Sequence, residues 1–270
     1  MYKKISMIIL NSIFTLVLIY LVVVLVIFFS QRKLMYHPYE NNYLQENQLN
    51  HSIEKVYINS DFKILGWHHF KNKKFKTLLF FHGNAGNLQN RIYKLNDISK
   101  LDINYLIIAY RGFSGNKGEP NETGLYKDSE SAKKWLNDYG VSDKDIILYG
   151  ESLGTAIAID LASKHKFAGI ILESPFTSMV KLSKIYYPYL PVKILLKDRY
   201  DSINKINNID FPKMVMHGDK DKIVPFSMGK EIFENFSEPK LSYFKKGDDH
   251  MMDFDAELLE NIQNFFKIIK

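Results

Sequence analysis

Cysteine is absent from all 270 residues of the sequence. Disulfide bridges, cysteine-type zinc sites and thiol nucleophiles are therefore excluded, although this absence does not decide the cellular compartment. None of the eight histidines has metal-ligand spacing supported by carboxylates, so neither a metal nor another cofactor is expected. Internal repeats and low-complexity segments are also missing, and 46% of the residues are hydrophobic. One domain with a sizeable core is expected.

Charge is missing from a long segment near the N-terminus. No acidic or basic residue occurs from Ile5 to Gln31, and such a run is long enough to cross a bilayer core of about 30 Å as a helix. A cleaved signal peptide would have a shorter apolar region and a small-residue cleavage site, which this run lacks. A buried helix of a soluble core is the second alternative. We expect residues 1–33 to form a retained single-pass membrane anchor.

The positions of the basic residues give little information about membrane orientation or binding partners. Lys3 and Lys4 precede the apolar run, and Arg32 and Lys33 follow it, so the orientation is nearly balanced. The positive charge of the N-terminal amine favours a cytoplasmic N-terminus, so we expect the main domain to lie outside the cytoplasm. The net charge of +6 is dispersed apart from residues 71–76, which resemble a charged hairpin loop. Nucleic acid is therefore not an expected partner.

After residue 53 the pattern changes to short apolar runs separated by helical spacing. Residues 53–58 and 64–70 alternate as an antiparallel hairpin would. Helical spacing occurs at 124–139 and 227–236. Buried parallel strands are indicated by continuous apolar runs at 77–81, 105–110, 146–149, 169–172 and 214–216. This alternation predicts an α/β fold with a doubly wound, mostly parallel sheet and a leading antiparallel hairpin.

Near residue 150 an apolar strand breaks into Gly150-Glu151-Ser152-Leu153-Gly154 and then into a helical segment. A nucleophile elbow needs this order, because its serine occupies a strained turn and the flanking glycines leave room for neighbouring backbone. A surface turn that happens to contain serine is the alternative. The strand before the motif and the helix after it favour the elbow, so Ser152 is the candidate nucleophile.

Acyl transfer at a serine also needs a base, an acid that orients the base, and donors for the oxyanion. Loops after predicted strands offer His250 as the base and Asp221 as the acid, with Asp219 as the alternative acid. The backbone N–H groups of Asn84 and Leu153 are the candidate oxyanion hole. The chain order serine, aspartate, histidine is the order that the α/β-hydrolase fold uses.

Further motifs lie at residues 31–38, 82–87, 110–115, 118–120, 173–178, 187–191, 199–202 and 217–225. Together with residues 150–154 they resemble the small membrane-anchored serine α/β-hydrolases. These are related to the α/β-hydrolase domain-containing proteins, some of whose soluble relatives remove palmitate from protein cysteines. The resemblance extends from Gln31 to the C-terminus. It implies the α/β-hydrolase fold and the same three residues, Ser152, Asp221 and His250.

The surroundings of His250 depart from the family pattern. Asp248 and Asp249 precede the histidine, where the family usually has a small residue and a glycine. Met251 and Met252 follow it in place of a polar residue. The sequence leaves open what the two carboxylates do to the histidine.

No large insertion interrupts the predicted sheet, so any cap over the site is the segment 177–210. We call it the cap. Within it, Tyr187, Tyr189 and Leu190 are the candidate acyl-pocket residues. Packing of the cap onto the core explains these apolar side chains equally well.

The combined interpretation is a membrane-anchored serine hydrolase with a connector at residues 34–52 and a catalytic domain at residues 53–270. We expect it to cleave a carboxylic ester or thioester with a lipid-like acyl group, in a lipid or an acylated protein, through an acyl-enzyme. A peptidase of the prolyl-oligopeptidase type is one alternative, but the sequence supplies no propeller or other gating domain. A membrane-anchored binding domain without catalytic activity is the other.

Overall fold

The computed structural model describes residues 2–39 and 46–269, so residues 40–45 of the predicted connector lie outside the described residues. The strands are β1 (His37–Pro38), β2 (Glu54–Asn59), β3 (Lys63–His69), β4 (Thr77–Phe81), β5 (Ala85–Gly86), β6 (Asn104–Ile108), β7 (Ile146–Glu151), β8 (Gly169–Glu173), β9 (Lys213–Gly218) and β10 (Lys240–Lys245). The α-helices are α1 (Tyr2–Met35), α2 (Ile92–Ile98), α3 (Glu122–Asp138), α4 (Leu153–Ala162), α5 (Met179–Tyr186), α6 (Val192–Leu195), α7 (Phe226–Asn235) and α8 (Ala256–Ile268).

Eight of the strands form one sheet in the order β10-β9-β8-β7-β4-β6-β3-β2. Neighbours from β10 to β6 are parallel, whereas β3 runs antiparallel to both β6 and β2. The short strands β1 and β5 pair separately. The predicted α/β fold, with a mostly parallel sheet and a leading antiparallel hairpin, is confirmed.

The central strands β4, β6, β7, β8 and β9 are buried along their whole length. Their continuous apolar runs fit a sheet that is covered on both faces. Because β4, β7, β9 and β10 all point the same way, the loops that follow them meet at one edge of the sheet. The residues that the sequence singled out for catalysis lie in these four loops.

The N-terminal helix α1 runs for 34 residues, and its most apolar window has a mean hydropathy of 3.1 and is not buried in the protein. By length and composition the helix can cross a membrane, and a signal sequence would share both properties. It continues through Met35, two residues beyond the predicted end of the anchor at residue 33.

The last turns of α1 dock on the cap, which contains α5 and α6. The Gln31 side chain donates to the carbonyl oxygen of Leu195 (3.2 Å) and accepts from the backbone N–H of Lys197 (2.8 Å). Arg32 donates to both carboxylate oxygens of Asp198, at 3.0 and 3.2 Å. A bidentate charged pair fixes orientation as well as distance, so the helix enters the domain at a defined angle.

Candidate active site

Ser152 lies at the turn from β7 to α4 with a φ of +52° and a ψ of −114°. A residue with a Cβ rarely adopts this conformation, so the surrounding structure must hold it. The two glycines of the motif are required by close approaches of the backbone. A Cβ at Gly154 would lie 2.0 Å from the carbonyl oxygen of Phe81, and one at Gly150 would lie 2.5 Å from the Cα of Thr155. Tight packing of the turn therefore explains the sequence motif.

The structure brings Ser152, His250 and Asp221 together. The Oγ of Ser152 lies 2.9 Å from Nε2 of His250, and Nδ1 of His250 lies 2.7 Å from Oδ2 of Asp221. An ionised carboxylate only accepts hydrogen bonds, so Nδ1 carries the proton and Nε2 is free to accept the serine hydroxyl. This is the tautomer that a general base acting on serine requires.

Asp221 is held by more groups than the sequence suggested. Its Oδ1 accepts the backbone N–H groups of Ile223 and Val224, each at 2.8 Å, and Nε2 of His217 lies 3.0 Å from its Oδ2. Burial raises the pKa of the Asp221 carboxyl, but the hydrogen bonds from His217 and His250 outweigh it, so the pKa lies well below its usual range. Asp221 therefore stays ionised beside His250.

The alternative acid, Asp219, has a different place. Its Oδ1 accepts the backbone N–H of Gly247 at 2.6 Å, which ties the loop after β9 to the loop after β10. The two carboxylates next to His250 also bind backbone. Asp249 accepts the N–H of His250 itself (2.7 Å), and Asp248 accepts the N–H groups of Asp249 and Asp253 (3.0 and 3.1 Å). They shape the histidine loop, and the partner of the ring is Asp221.

Asn84 and Leu153 line the same cavity as Ser152. Among the described residues, neither backbone N–H has a protein acceptor, so both are free to bind a ligand oxygen. Asn84 is fixed by its other groups. Its side-chain amide donates to the carbonyl oxygen of Met35 (2.8 Å), and its own carbonyl oxygen accepts the N–H of His37 (2.9 Å). The end of α1 thus positions the candidate oxyanion loop.

The cavity above Ser152 has a volume of about 270 Å³ and is mostly apolar. One wall belongs to the cap, where Tyr187 and Leu190, two of the three candidate pocket residues, line the cavity. Tyr189 is placed differently: it is not part of the lining, and 88% of its surface is exposed. Sequence reasoning missed the opposite wall, which is formed by the end of α1 through Ile27, Phe28, Gln31, Leu34 and Met35. The only signal for that wall was the motif at residues 31–38.

A buried ion cluster of Arg91, Lys94, Glu151 and Glu173 lies beneath the elbow. The Nζ of Lys94 is fully buried and contacts Glu151 at 2.8 Å and Glu173 at 2.7 Å, while Arg91 contacts Glu151 at 2.5 Å. The Tyr149 hydroxyl donates to Glu173. Two cations therefore balance two carboxylates at the ends of β7 and β8. The sequence analysis did not find this cluster, because Lys94 stands in a segment with an ordinary surface pattern.

Among residues 2–39 and 46–269, no group of three or more histidine or acidic side chains is placed to hold a metal ion. The site as built consists of a serine, a histidine, an aspartate and two backbone donors at the mouth of an apolar cavity. Such a constellation is suited to acyl transfer through a covalent intermediate.

Comparisons with known proteins bear on the fold and the family of the chain. No protein-family model matches the chain. An uncharacterized protein of Mycobacterium tuberculosis is 33% identical over 245 residues, which cover 88% of this chain and 85% of that protein. An esterase of Pyrococcus furiosus shares the fold with a TM-score of 0.69 and 19% identity, over 86% of this chain and 98% of the esterase.

The chain belongs to the α/β-hydrolases. Among its named relatives is the human α/β-hydrolase domain-containing protein 17B, with 33% identity over 194 residues. The match covers 70% of this chain and 65% of the length of the human protein. The family resemblance expected from the sequence motifs is thereby confirmed.

Replacing the central cation of the ion cluster should destabilise the fold. Lys94→Met keeps the length of the side chain but leaves Glu151 and Glu173 facing one cation instead of two. Removing one partner of a buried ion pair costs about 3–5 kcal/mol of unfolding free energy. Denaturant titration followed by tryptophan fluorescence measures the loss. Lys100→Met is the control, because Lys100 forms an exposed pair with Asp97, and about 1 kcal/mol or less is expected there. Equal losses in the two variants would contradict the assigned role of Lys94.

Acid should weaken the same cluster. Burial raises the pKa of Glu151, but Arg91 and Lys94 outweigh burial and hold that pKa well below its usual value. A carboxyl whose folded-state pKa is depressed stabilises the protein above its unfolded pKa of about 4.3, and this contribution is lost as the pH falls towards the folded value. We expect the unfolding free energy of the wild type to fall more steeply below about pH 4 than that of Glu151→Gln. Parallel pH curves from denaturant titrations would show that Glu151 is not responsible.

Proposed function

We propose that the protein is a membrane-anchored serine hydrolase that cleaves a carboxylic ester or thioester with an apolar acyl group. The main support for the proposal is the chain of hydrogen bonds from Ser152 through His250 to Asp221 at the mouth of the apolar cavity. The name and fold of the esterase neighbour and the resemblance to the α/β-hydrolase domain-containing proteins support it.

In the first half-reaction the Oγ of Ser152 attacks the carbonyl carbon of the substrate, and the hydroxyl proton passes to Nε2 of His250. The negative charge that forms on the carbonyl oxygen is stabilised by the backbone N–H groups of Asn84 and Leu153. Ionised Asp221 stabilises the imidazolium. Collapse of the intermediate breaks the bond to the leaving alcohol or thiol, which takes the proton from His250 and departs.

The second half-reaction removes the acyl group from Ser152. Water gives its proton to Nε2 of His250 and attacks the acyl carbon, with the charge on the carbonyl oxygen held by the same two N–H groups. The bond to Oγ then breaks, Ser152 takes the proton back from His250, and the free carboxylic acid leaves. The low pKa of Asp221 keeps its carboxylate available in both half-reactions.

The cavity favours an acyl chain over a polar substituent. Its lining is dominated by aliphatic and aromatic side chains from α1 and the cap. Burying an acyl chain there releases about 0.8 kcal/mol per methylene. We assign the anchor role to α1, the catalytic role to residues 53–270, and a lipid or an acylated protein as the substrate.

A fluorophosphonate probe should label the wild type in membranes. The probe reacts with an activated serine, so Ser152→Ala should abolish labelling and His250→Ala should slow it strongly. Ser131→Ala is the matched control, because this serine lies on α3 and outside the cavity lining. Gel fluorescence against a loading standard gives the labelling rate. Folded wild type that fails to label would contradict the proposal and favour a binding domain.

Two aspartates in the loop after β9 allow a more specific test by fluorophosphonate labelling. Asp221→Asn should slow labelling by about 10²–10⁴-fold, because the amide no longer favours the tautomer that leaves Nε2 unprotonated. Asp219→Asn should change the rate by only about twofold or less, since an amide oxygen still accepts the N–H of Gly247. Loss of labelling in the Asp219 variant alone would exchange the roles of the two residues.

Activity should rise with the length of the acyl chain. For p-nitrophenyl esters from acetate to octanoate, we expect kcat/KM to increase by about fourfold per methylene while the chain still fits, from about 0.8 kcal/mol per buried methylene. Leu190→Asn in the cavity should flatten this dependence, and Leu241→Asn on the exposed side of β10 should not. A flat profile in the wild type would contradict an acyl pocket, and faster cleavage of an amide than of the matching ester would favour a peptidase.

A further inference from the structure

The cap also contacts α1 well to the N-terminal side of the turn at which the helix enters the domain. The Tyr20 hydroxyl donates to the carbonyl oxygen of Tyr189 at 2.9 Å, twelve residues before Arg32 contacts Asp198. At 1.5 Å per residue, these two contacts are about 18 Å apart along the helix. The cap thus reaches deep along the apolar part of α1, and we call its end near Tyr189 and Ile194 the cap tip.

Helix length fixes the depth of the cap tip in a bilayer. The uncharged run from Ile5 to Gln31 is 27 residues long, or about 40 Å, whereas the hydrocarbon core is about 30 Å thick. If Lys4 lies at one surface of the core, the other surface falls about 20 residues further on, near residue 25. Tyr20 is then about 7 Å inside that surface. The cap tip, bonded to Tyr20, enters the same leaflet.

If the cap tip instead lay in water, the part of α1 left in the membrane would be too short to span the hydrocarbon core. Residues 5–20 would cover only about 24 Å of the core. In addition, the next turns of α1 would expose apolar side chains to water, since Phe29 is 75% exposed and Leu21, Val22 and Val26 are about half exposed or more. A bilayer around these side chains accounts for both observations.

The composition of the cap tip suits a membrane interface. Tyr189 and Ile194 are 88% and 83% exposed, and Ile185, Tyr186 and Tyr187 are about half exposed. Residues 179–197 contain four lysines and no acidic residue. Tyrosine and lysine are characteristic of the boundary between headgroups and acyl chains, where apolar side chains enter by about 5–10 Å.

We infer that the cap tip is embedded in the leaflet that surrounds α1, and that the acyl pocket opens to this leaflet between α1 and the cap. This inference rests on the proposed function. The substrate is then an acyl ester or thioester resident in the membrane, whose chain slides between Phe28 and Leu190 without crossing water. The carbonyl group reaches Ser152, which lines the same cavity.

The absence of cysteine makes a direct test possible. Ile194→Cys labelled with an environment-sensitive nitrobenzoxadiazole dye gives one fluorophore on the full chain, reconstituted in phosphatidylcholine and phosphatidylglycerol vesicles. Ile268→Cys is the matched control, because Ile268 is exposed on α8 and its neighbour Ile269 lies against Gly169 at the start of β8, which is the edge of the sheet opposite the site. We expect lipids brominated on the acyl chain to lower the fluorescence of the dye at residue 194 relative to unbrominated vesicles, and to leave the fluorescence of the dye at residue 268 unchanged.

A second pair of variants tests access to the pocket. Ile194→Asp should lower hydrolysis of a long-chain ester carried in vesicles by about tenfold or more, because the tip no longer enters the leaflet. Cleavage of soluble p-nitrophenyl butyrate and labelling by the fluorophosphonate should be unchanged, since Ile194 is not part of the cavity lining. Ile268→Asp should leave both activities unchanged.

The outcomes separate this inference from the proposed function. An equal fractional change in the fluorescence of the two dyes between unbrominated and brominated vesicles would overturn the embedding of the cap tip, whether or not Ser152 is labelled. Equal loss of vesicle and soluble activity in Ile194→Asp would overturn entry from the leaflet. Quenching at residue 194 in a protein whose Ser152 does not react would support the embedded tip and overturn the hydrolase proposal alone.

Discussion

The buried ion cluster beneath the elbow is the interaction on which the site depends. Glu151 and Glu173 end two adjacent strands, and without cations they would repel each other in a region that water does not reach. Lys94 bridges them, and Arg91 links Glu151 to the loop after β4 through the carbonyl oxygen of Ala85. Strand ends, elbow and oxyanion loop are therefore held in one ionic framework. The strained backbone of Ser152 directly follows Glu151, which two of these cations hold.

Much of the fold and of the candidate site could be predicted from the sequence, because the signals are local. Apolar runs mark buried strands without knowledge of their partners, and the motif around Ser152 contains its own turn and glycines. Asp221 and His250 follow once the loops at the carboxyl ends of parallel strands are known to meet. The choice between Asp219 and Asp221 was harder, since both lie in one loop, and only the hydrogen bonds distinguish them.

Features that depend on distant contacts could not be predicted in the same way. Lys94 resembles a surface lysine until α2 is placed over the ends of β7 and β8. Tyr187 and Tyr189 have the same chemistry, but their directions are set by a turn between two prolines that sequence periodicity does not describe. The contact between Gln31 and Leu195 joins residues 164 positions apart. The composition of α1 therefore indicated a candidate membrane span but gave no sign of a cavity wall.

The bond between Asn84 and Met35 has a consequence for how the chain can be divided. The backbone of α1 is attached to the loop that holds one candidate oxyanion donor, and side chains of the same helix close the cavity. The apolar helix and the α/β domain are thus not modules joined by a linker. A fragment that begins after residue 33 would keep Met35 but lose Ile27, Phe28 and Gln31, and with them part of the cavity lining. A water-soluble version of this protein would have to keep the helix and redesign only its outward face.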